Sequence, residues 1–110
     1  MDIQFFFPTA ICSIMDKNLA HKLLPVAKKY LNTPELLTYT WGYKNTYSSN
    51  NGLENQIEFK ELVIFLKDQA ANYMQSLGYD LSSEIFDINI FTSEMNNGDQ
   101  HGMHTHQNSI

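Results

Sequence analysis

The sequence predicts a small α+β domain, and three observations support this prediction. Two stretches carry apolar residues at steps of three and four, as amphipathic helices do. Several short stretches rich in aromatic and branched residues are typical of strands. The 110 residues, of which 43% are hydrophobic and 17% charged, suit one globular domain spanning residues 1–110.

The N-terminal residues predict a strand and then a helix. Residues 3–7 and 10–15 are rich in aromatic and branched side chains and flank Pro8, which favours a strand broken by a bend or bulge. Asp16 can cap a helix from about residue 17 to residue 31, because apolar residues recur there at helical spacing.

The middle of the chain predicts a strand, a loop and a second helix. Pro25 lies inside the first helical pattern, so that helix is predicted to kink or to split in two. Residues 38–44 (TYTWGYK) predict a strand, and the polar loop after it carries a turn signal at Asn51-Gly52. The clearest helical pattern covers residues 57–77, and Gly78 is placed to end it.

The last third predicts a strand that leads into a group of histidines. Residues 84–95 (EIFDINIFTSEM) predict a strand. Successive side chains of a strand point to opposite faces, so the residues of this stretch divide into two sets. One face holds Phe86, Ile88, Ile90 and Thr92, and the other holds Ile85, Asp87, Asn89 and Phe91. The polar turn MNNGDQ follows, and the histidines lie where the next strand would begin.

Charge and cysteine content limit the class of protein. The net charge is −5 and all seven basic residues are lysine, which argues against a nucleic-acid groove. Cys12 is the single cysteine, so no internal disulfide forms and the reducing cytoplasm is the expected location. The apolar start lacks a basic leading region and is too short to span a bilayer, so we expect no membrane segment.

His104 and His106 are the candidate metal ligands. In an extended chain, residues two apart project to the same side, so both imidazoles can face one point. Asp99 and His101 form a possible second pair. Imidazole and carboxylate ligands suit first-row metals, and two histidines with one carboxylate leave open positions on ferrous iron. The alternative is a solvated, histidine-rich tail with no metal.

Other candidate sites have less support. His21 lies in the first predicted helix and is expected on the surface. Tyr39, Trp41, Tyr43 and Tyr47 form either a ring-stacking platform or ordinary packing, and packing is the more frequent role of such residues. No nucleophilic triad, glycine-rich phosphate loop or paired-cysteine zinc pattern occurs in the sequence.

Four segments together resemble a known family. FPTAI, LGYD, IFDINIFTSEM and NNGDQHGMHTHQNS resemble the N-terminal portion of a family of 2-oxoglutarate/Fe(II)-dependent oxygenases of the His-x-His-x-Asn-Ser type. The residues that match that motif are Gly98, His104, His106, Asn108 and Ser109. The resemblance implies a double-stranded β-helix, or jelly-roll, of which this chain would hold the N-terminal helices and first strands. It also implies Fe(II) and 2-oxoglutarate as cofactors, with His104 or His106 as the proximal iron ligand.

The family pattern further calls for a third ligand, a distal histidine and a basic residue, usually arginine, for 2-oxoglutarate. The chain has no arginine, so the cofactor-binding and catalytic residues are expected downstream of Ile110 and stay unassigned. We therefore expect the chain to be a truncated dioxygenase domain that is inactive alone. The complete protein would hydroxylate a small molecule or peptide. The unpaired sheet edge of the truncated domain predicts a homo-oligomer or aggregation. The alternative is a small non-catalytic α+β binding or structural protein whose histidine-rich tail is incidental.

Overall fold

The computed structural model describes residues 1–6, 9–48 and 52–105, and in these ranges the protein has an α+β architecture. Two helices, α1 (Lys17–Leu31) and α2 (Lys60–Ser76), accompany a sheet of two antiparallel strands, β1 (Asp2–Phe6) and β2 (Thr9–Ser13). The predicted α+β class is confirmed. The described ranges contain no jelly-roll sheet.

The N-terminal strands pair with each other as a hairpin, from Asp2 opposite Ser13 to Phe6 opposite Thr9. The prediction of one strand interrupted by a bend is therefore wrong, because the chain reverses direction near Pro8, which cannot donate to a strand ladder. Residues 7–8, where the sequence predicts the bend or bulge, lie outside the described residues. The Tyr73 hydroxyl of α2 donates to the carbonyl of Ala10 at 2.8 Å, so the hairpin is attached to α2.

Helix α1 begins where the sequence predicts it. The side chain of Asp16 accepts a hydrogen bond of 3.0 Å from the N–H of Leu19, as an N-cap residue does. Of the predicted kink or split at Pro25, the split does not occur, since α1 runs unbroken to Leu31. Pro25 lies on an exposed face, next to an exposed Leu24, where water can satisfy the carbonyl that loses its helical partner.

Helix α2 and a buried cluster form the centre of the fold. A 3-10 turn at Ile57–Phe59 leads into α2, and Gly78 ends the helix with φ +97°, so the predicted second helix is confirmed. The core consists of buried residues and half-buried residues packed on them: Tyr30, Leu53 and Phe59, with Leu23, Val26, Leu36, Leu62 and Ile90. No helix in the described ranges is long and apolar enough to cross a membrane.

The predicted strand at residues 38–44 is wrong. Residues 39–42 form a tight turn in its place, in which Trp41 (φ +64°) and Gly42 (φ +84°) both adopt the left-handed conformation. Isolated bridges join Thr38 to Asn45 and Asn45 to Ser93 in place of a strand ladder. The proposed turn at Asn51-Gly52 cannot be assessed because Asn51 lies outside the described residues.

Residues 84–95 are extended only in part. A 3-10 turn at Ser83–Ile85 replaces the start of the predicted strand, and the rest pairs locally with residues 44–46. The N–H of Thr46 donates to the Thr92 carbonyl, and the N–H of Glu94 to the Lys44 carbonyl, each at 3.0 Å. The predicted alternation of faces is confirmed. On one face Phe86, Ile88 and Ile90 are half-buried and Thr92 is buried, whereas on the other all four residues, Ile85, Asp87, Asn89 and Phe91, are exposed.

Candidate metal site

A tight turn at residues 39–42 presents aromatic side chains to the histidines. The N–H of Gly42 donates to the Tyr39 carbonyl at 2.9 Å, which closes the turn. The side-chain amide of Asn45 is fully buried and donates to two more carbonyls, those of Thr40 at 3.2 Å and Tyr43 at 3.0 Å. These hydrogen bonds hold Trp41 in the left-handed conformation, which is uncommon for a residue with a Cβ atom.

Five side-chain rings within the described ranges form an aromatic cluster beside this turn: Trp41, Tyr43, Tyr47, Phe91 and His101. The His101 ring centroid lies 5.4 Å from that of Trp41 and 5.9 Å from that of Tyr47. Tyr47 also meets Phe91 edge-on at 4.5 Å. The histidine segment, residues 101–106, therefore begins on an aromatic surface.

Within this cluster, hydrogen bonds link Tyr47, Tyr43 and His101 in series. The Tyr43 hydroxyl lies 2.7 Å from Nδ1 of His101 and 2.9 Å from the Tyr47 hydroxyl. Burial, followed by the interaction with Tyr47 and the nearby charge of Asp99, raises the pKa of Tyr43 to about 12. Tyr43 thus stays neutral at pH 7 and has one proton to donate, either to Tyr47 or to His101.

His104 lies beside His101, with 4.6 Å between the ring centroids and 32° between the ring planes. Its Nδ1 is 2.9 Å from the carbonyl oxygen of Gly102. A carbonyl oxygen can only accept, so Nδ1 carries the proton of the neutral ring and Nε2 carries the lone pair. A hydrogen bond from one ring nitrogen to a backbone carbonyl is the arrangement that orients histidine ligands in metal sites.

The predicted polar turn before the histidines is confirmed. Gly98 has φ +89°, and the N–H of Asp99 donates to the Asn96 carbonyl at 3.0 Å. The Asp99 carboxylate in turn accepts a hydrogen bond of 2.6 Å from the N–H of Asn96. This carboxylate, considered above as a partner of His101 in a metal site, is therefore engaged in the turn.

The described residues offer imidazole ligands without completing an iron site. His101 and His104 are adjacent, but no group of three or more histidine, cysteine, aspartate or glutamate side chains is placed to hold a metal in the described ranges. His106, the second predicted ligand, lies outside the described residues, as do Asn108 and Ser109. The fit to iron therefore extends to two imidazoles and no carboxylate.

One cavity lies at a different place. It has a volume of about 480 Å³ and lies between α1 and residues 93–95, with walls that include Leu24, Lys28 and Met95. His21, expected on the surface, is exposed. Neither feature brings further ligands to the histidines.

Sequence reasoning assigned His101 only to a possible pair with Asp99 and left open whether the aromatic residues pack or stack. In the structure Tyr43 and Tyr47 pack against His101, whereas Tyr39 and Trp41 are 63% and 50% exposed. No local signal links His101 to Tyr43, which is 58 residues away. A weak signal existed at Gly102, because a glycine between two candidate ligands indicates a close approach by another group.

Comparisons with known proteins found no match: no family model, no curated protein and no solved structure is similar to this chain.

Proposed function

We propose that the histidine segment is part of a site for a divalent first-row metal. The observation that carries this proposal is the Nδ1 hydrogen bond of His104 to Gly102, the arrangement that orients histidine ligands, in a ring whose centroid lies 4.6 Å from that of His101. His104 and His106 are the proposed ligands, and His101 is the nearest described neighbour that could join them.

The metal we propose is Fe(II), within the jelly-roll of a 2-oxoglutarate-dependent dioxygenase of which this chain is the N-terminal portion. The support is the resemblance of the NNGDQHGMHTHQNS segment and the alternation of residues 85–92. When bound, iron and 2-oxoglutarate would supply the oxidising chemistry. Since the described residues provide two imidazoles, the third ligand and the 2-oxoglutarate contacts must come from elsewhere, and we derive no oxygenation step from this chain.

Calorimetric titration with Ni²⁺, a redox-inert substitute for Fe(II), tests the metal site. We expect binding to the unmodified chain, with loss of affinity of about tenfold or more in His104→Ala and in His106→Ala. His21→Ala is the matched control, because this histidine is exposed on α1 and belongs to no proposed site. Equal Ni²⁺ affinity in the unmodified chain and the His104→Ala, His106→Ala double variant would refute the proposal.

The oxygenase assignment needs a separate test. The isolated chain is expected to give no Fe(II)-dependent decarboxylation of 2-oxoglutarate, since its described residues lack a complete ligand set. Release of CO₂ and succinate that requires both iron and this chain would show that expectation to be wrong and would strengthen the enzyme proposal.

A second candidate is a non-catalytic α+β binding or structural protein, in which His101 packs on the aromatic cluster and the rest of the histidine-rich tail is incidental. The contacts of His101 with Tyr43 and Tyr47 favour it, because they give an imidazole a structural role without a metal. This candidate predicts that Ni²⁺ leaves the Tm unchanged and that the double variant unfolds at the same temperature as the unmodified chain.

A further inference from the structure

The indole ring of Trp41 lies directly against the backbone of Gly102. A Cβ atom built at Gly102 would overlap the indole atoms Cη2 and Cζ3 and lie 3.1 Å from Cε3. The φ of Gly102 is outside the left-handed region, so its backbone conformation does not require glycine. Gly98 is the opposite case, with φ +89° and open space where its Cβ would be. A side chain at position 102 would therefore force either the indole or the histidine segment to shift.

The backbone at Trp41 is held by the turn that carries the indole. Left-handed backbone at a residue with a Cβ atom persists only where surrounding contacts impose it. Here the buried Asn45 amide and the bridge between Thr38 and Asn45 hold the turn closed. The ring is 50% exposed, so its burial in a core does not explain the conformation.

The indole touches the histidine segment at two successive residues. It covers Gly102, and its centroid lies 5.4 Å from that of His101. The carbonyl of the same Gly102 accepts the Nδ1 hydrogen bond of His104. A displacement of Gly102 therefore moves the group that sets the tautomer and orientation of His104.

We infer that Trp41 is a positioning residue for the proposed metal site: its indole, seated on Gly102, holds the histidine segment on the aromatic cluster and orients His104. The inference rests on the proposed metal binding and extends it to a residue that touches no metal. Imidazole ligands that are already held in place lose less conformational freedom when a divalent cation binds, so the cation binds more tightly.

A double-mutant cycle with Ni²⁺ calorimetry tests the inference. Gly102→Ala should lower Ni²⁺ affinity by about tenfold or more, because the added methyl group displaces the segment from the indole. Trp41→Gly removes the ring and suits the left-handed turn, so adding Gly102→Ala to it should cause no further loss. Met103→Ala is the control within the segment, since that side chain is fully exposed, and it should bind as the unmodified chain does.

Tryptophan fluorescence tests the contact between Trp41 and the histidine segment in the absence of metal. Trp41 is the single tryptophan, so the emission reports the surroundings of this one indole. Gly102→Ala should shift the emission to longer wavelength and increase quenching by acrylamide, whereas the helical circular dichroism stays unchanged. Met103→Ala should leave the emission as it is.

The outcomes separate this inference from the proposed function. If the unmodified chain binds Ni²⁺ and Gly102→Ala binds it as tightly, the positioning role is overturned and the metal site stands. A Gly102→Ala loss that is equally large in the Trp41→Gly background also overturns it, because the effect then does not pass through the indole. If the unmodified chain binds no Ni²⁺, the proposed function fails and the positioning role fails with it, whatever the emission shows.

Discussion

Truncation of Asn45 to alanine should destabilise the whole fold. The side-chain amide donates to the carbonyls of Thr40 and Tyr43 and accepts from the N–H of Tyr47 and the hydroxyl of Thr38. Asn45 is 0% exposed, so alanine would leave the buried Tyr43 carbonyl and the partly buried groups of Thr38, Thr40 and Tyr47 without these hydrogen bonds. Each buried polar group left unpaired costs roughly 1–3 kcal/mol, which water entering the new space partly offsets.

We expect a total loss of about 3 kcal/mol in the free energy of unfolding for Asn45→Ala, from roughly 1 kcal/mol for each of three backbone groups. A domain of this size has a total stability of about 5–10 kcal/mol, so the variant should still fold. Its Tm should fall by roughly 10–20 °C. Urea and thermal unfolding, followed by circular dichroism, measure both quantities.

Asn72→Ala is the matched control, because it makes the same substitution on the exposed face of α2. It should change stability by less than about 0.5 kcal/mol. Asn45→Asp provides a second variant: a carboxylate oxygen would face the two carbonyls to which the amide donates, so the variant should be least stable at neutral pH. If Asn45→Ala costs no more than Asn72→Ala, the assigned role of the buried amide is wrong.

Three further predictions concern the rest of the molecule. Hydrogen bonds from Lys29, from the backbone and from Tyr30 lower the pKa of Glu58 from 4.5 to about 2. The ionised Glu58 therefore stabilises the fold fully above pH 4.5, and this contribution is lost as the pH falls towards 2. Thermal unfolding across this range should therefore show a steeper loss for the unmodified chain than for Glu58→Gln. Pro25→Ala should stabilise α1 by roughly 1–3 kcal/mol in urea unfolding, because the alanine N–H restores a helical hydrogen bond; an unchanged midpoint would mean that the helix is already relaxed around the proline. The two-stranded sheet leaves strand edges unpaired in the described ranges, so light scattering should show concentration-dependent association; a constant monomer mass would contradict it.

The helices were predictable because their signals are local. The Asp16 cap, the apolar spacing of α1 and α2 and the left-handed Gly78 each act within a few residues. The alternation of residues 85–92 was likewise readable, because one side of the segment faces the core. The alternation does not identify the segment with which these residues pair, since the pairing with residues 44–46 depends on groups more than 40 residues away.

The turn at residues 39–42 was not predictable from its own sequence. TYTWGYK alternates as a strand does, but the Asn45 amide donates to carbonyls of the turn and so offers the backbone an alternative to a strand ladder. The candidate site depends on this turn, because it places Trp41 against Gly102. Histidine spacing alone could nominate His104 and His106, whereas the contacts of His101 required the three-dimensional arrangement.

The role of His101 depends on the direction of the hydrogen bonds from Tyr47 through Tyr43. The bond with Tyr47 helps to raise the pKa of Tyr43, as expected if Tyr43 donates its proton to Tyr47. In that case Nδ1 of His101 donates to Tyr43, and Nε2 carries the lone pair that a metal needs.

Tyr47→Phe tests this direction, because it removes the acceptor and leaves the Tyr43 proton only Nδ1 of His101 to bind. We expect the variant to move the proton of His101 from Nδ1 to Nε2, which ¹⁵N chemical shifts of the imidazole ring report directly. Ring nitrogens whose shifts are the same in both proteins would mean that Tyr43 already donates to His101. The imidazole would then offer its Nε2 as a donor, and His101 would belong to the aromatic cluster alone and not to the ligand set.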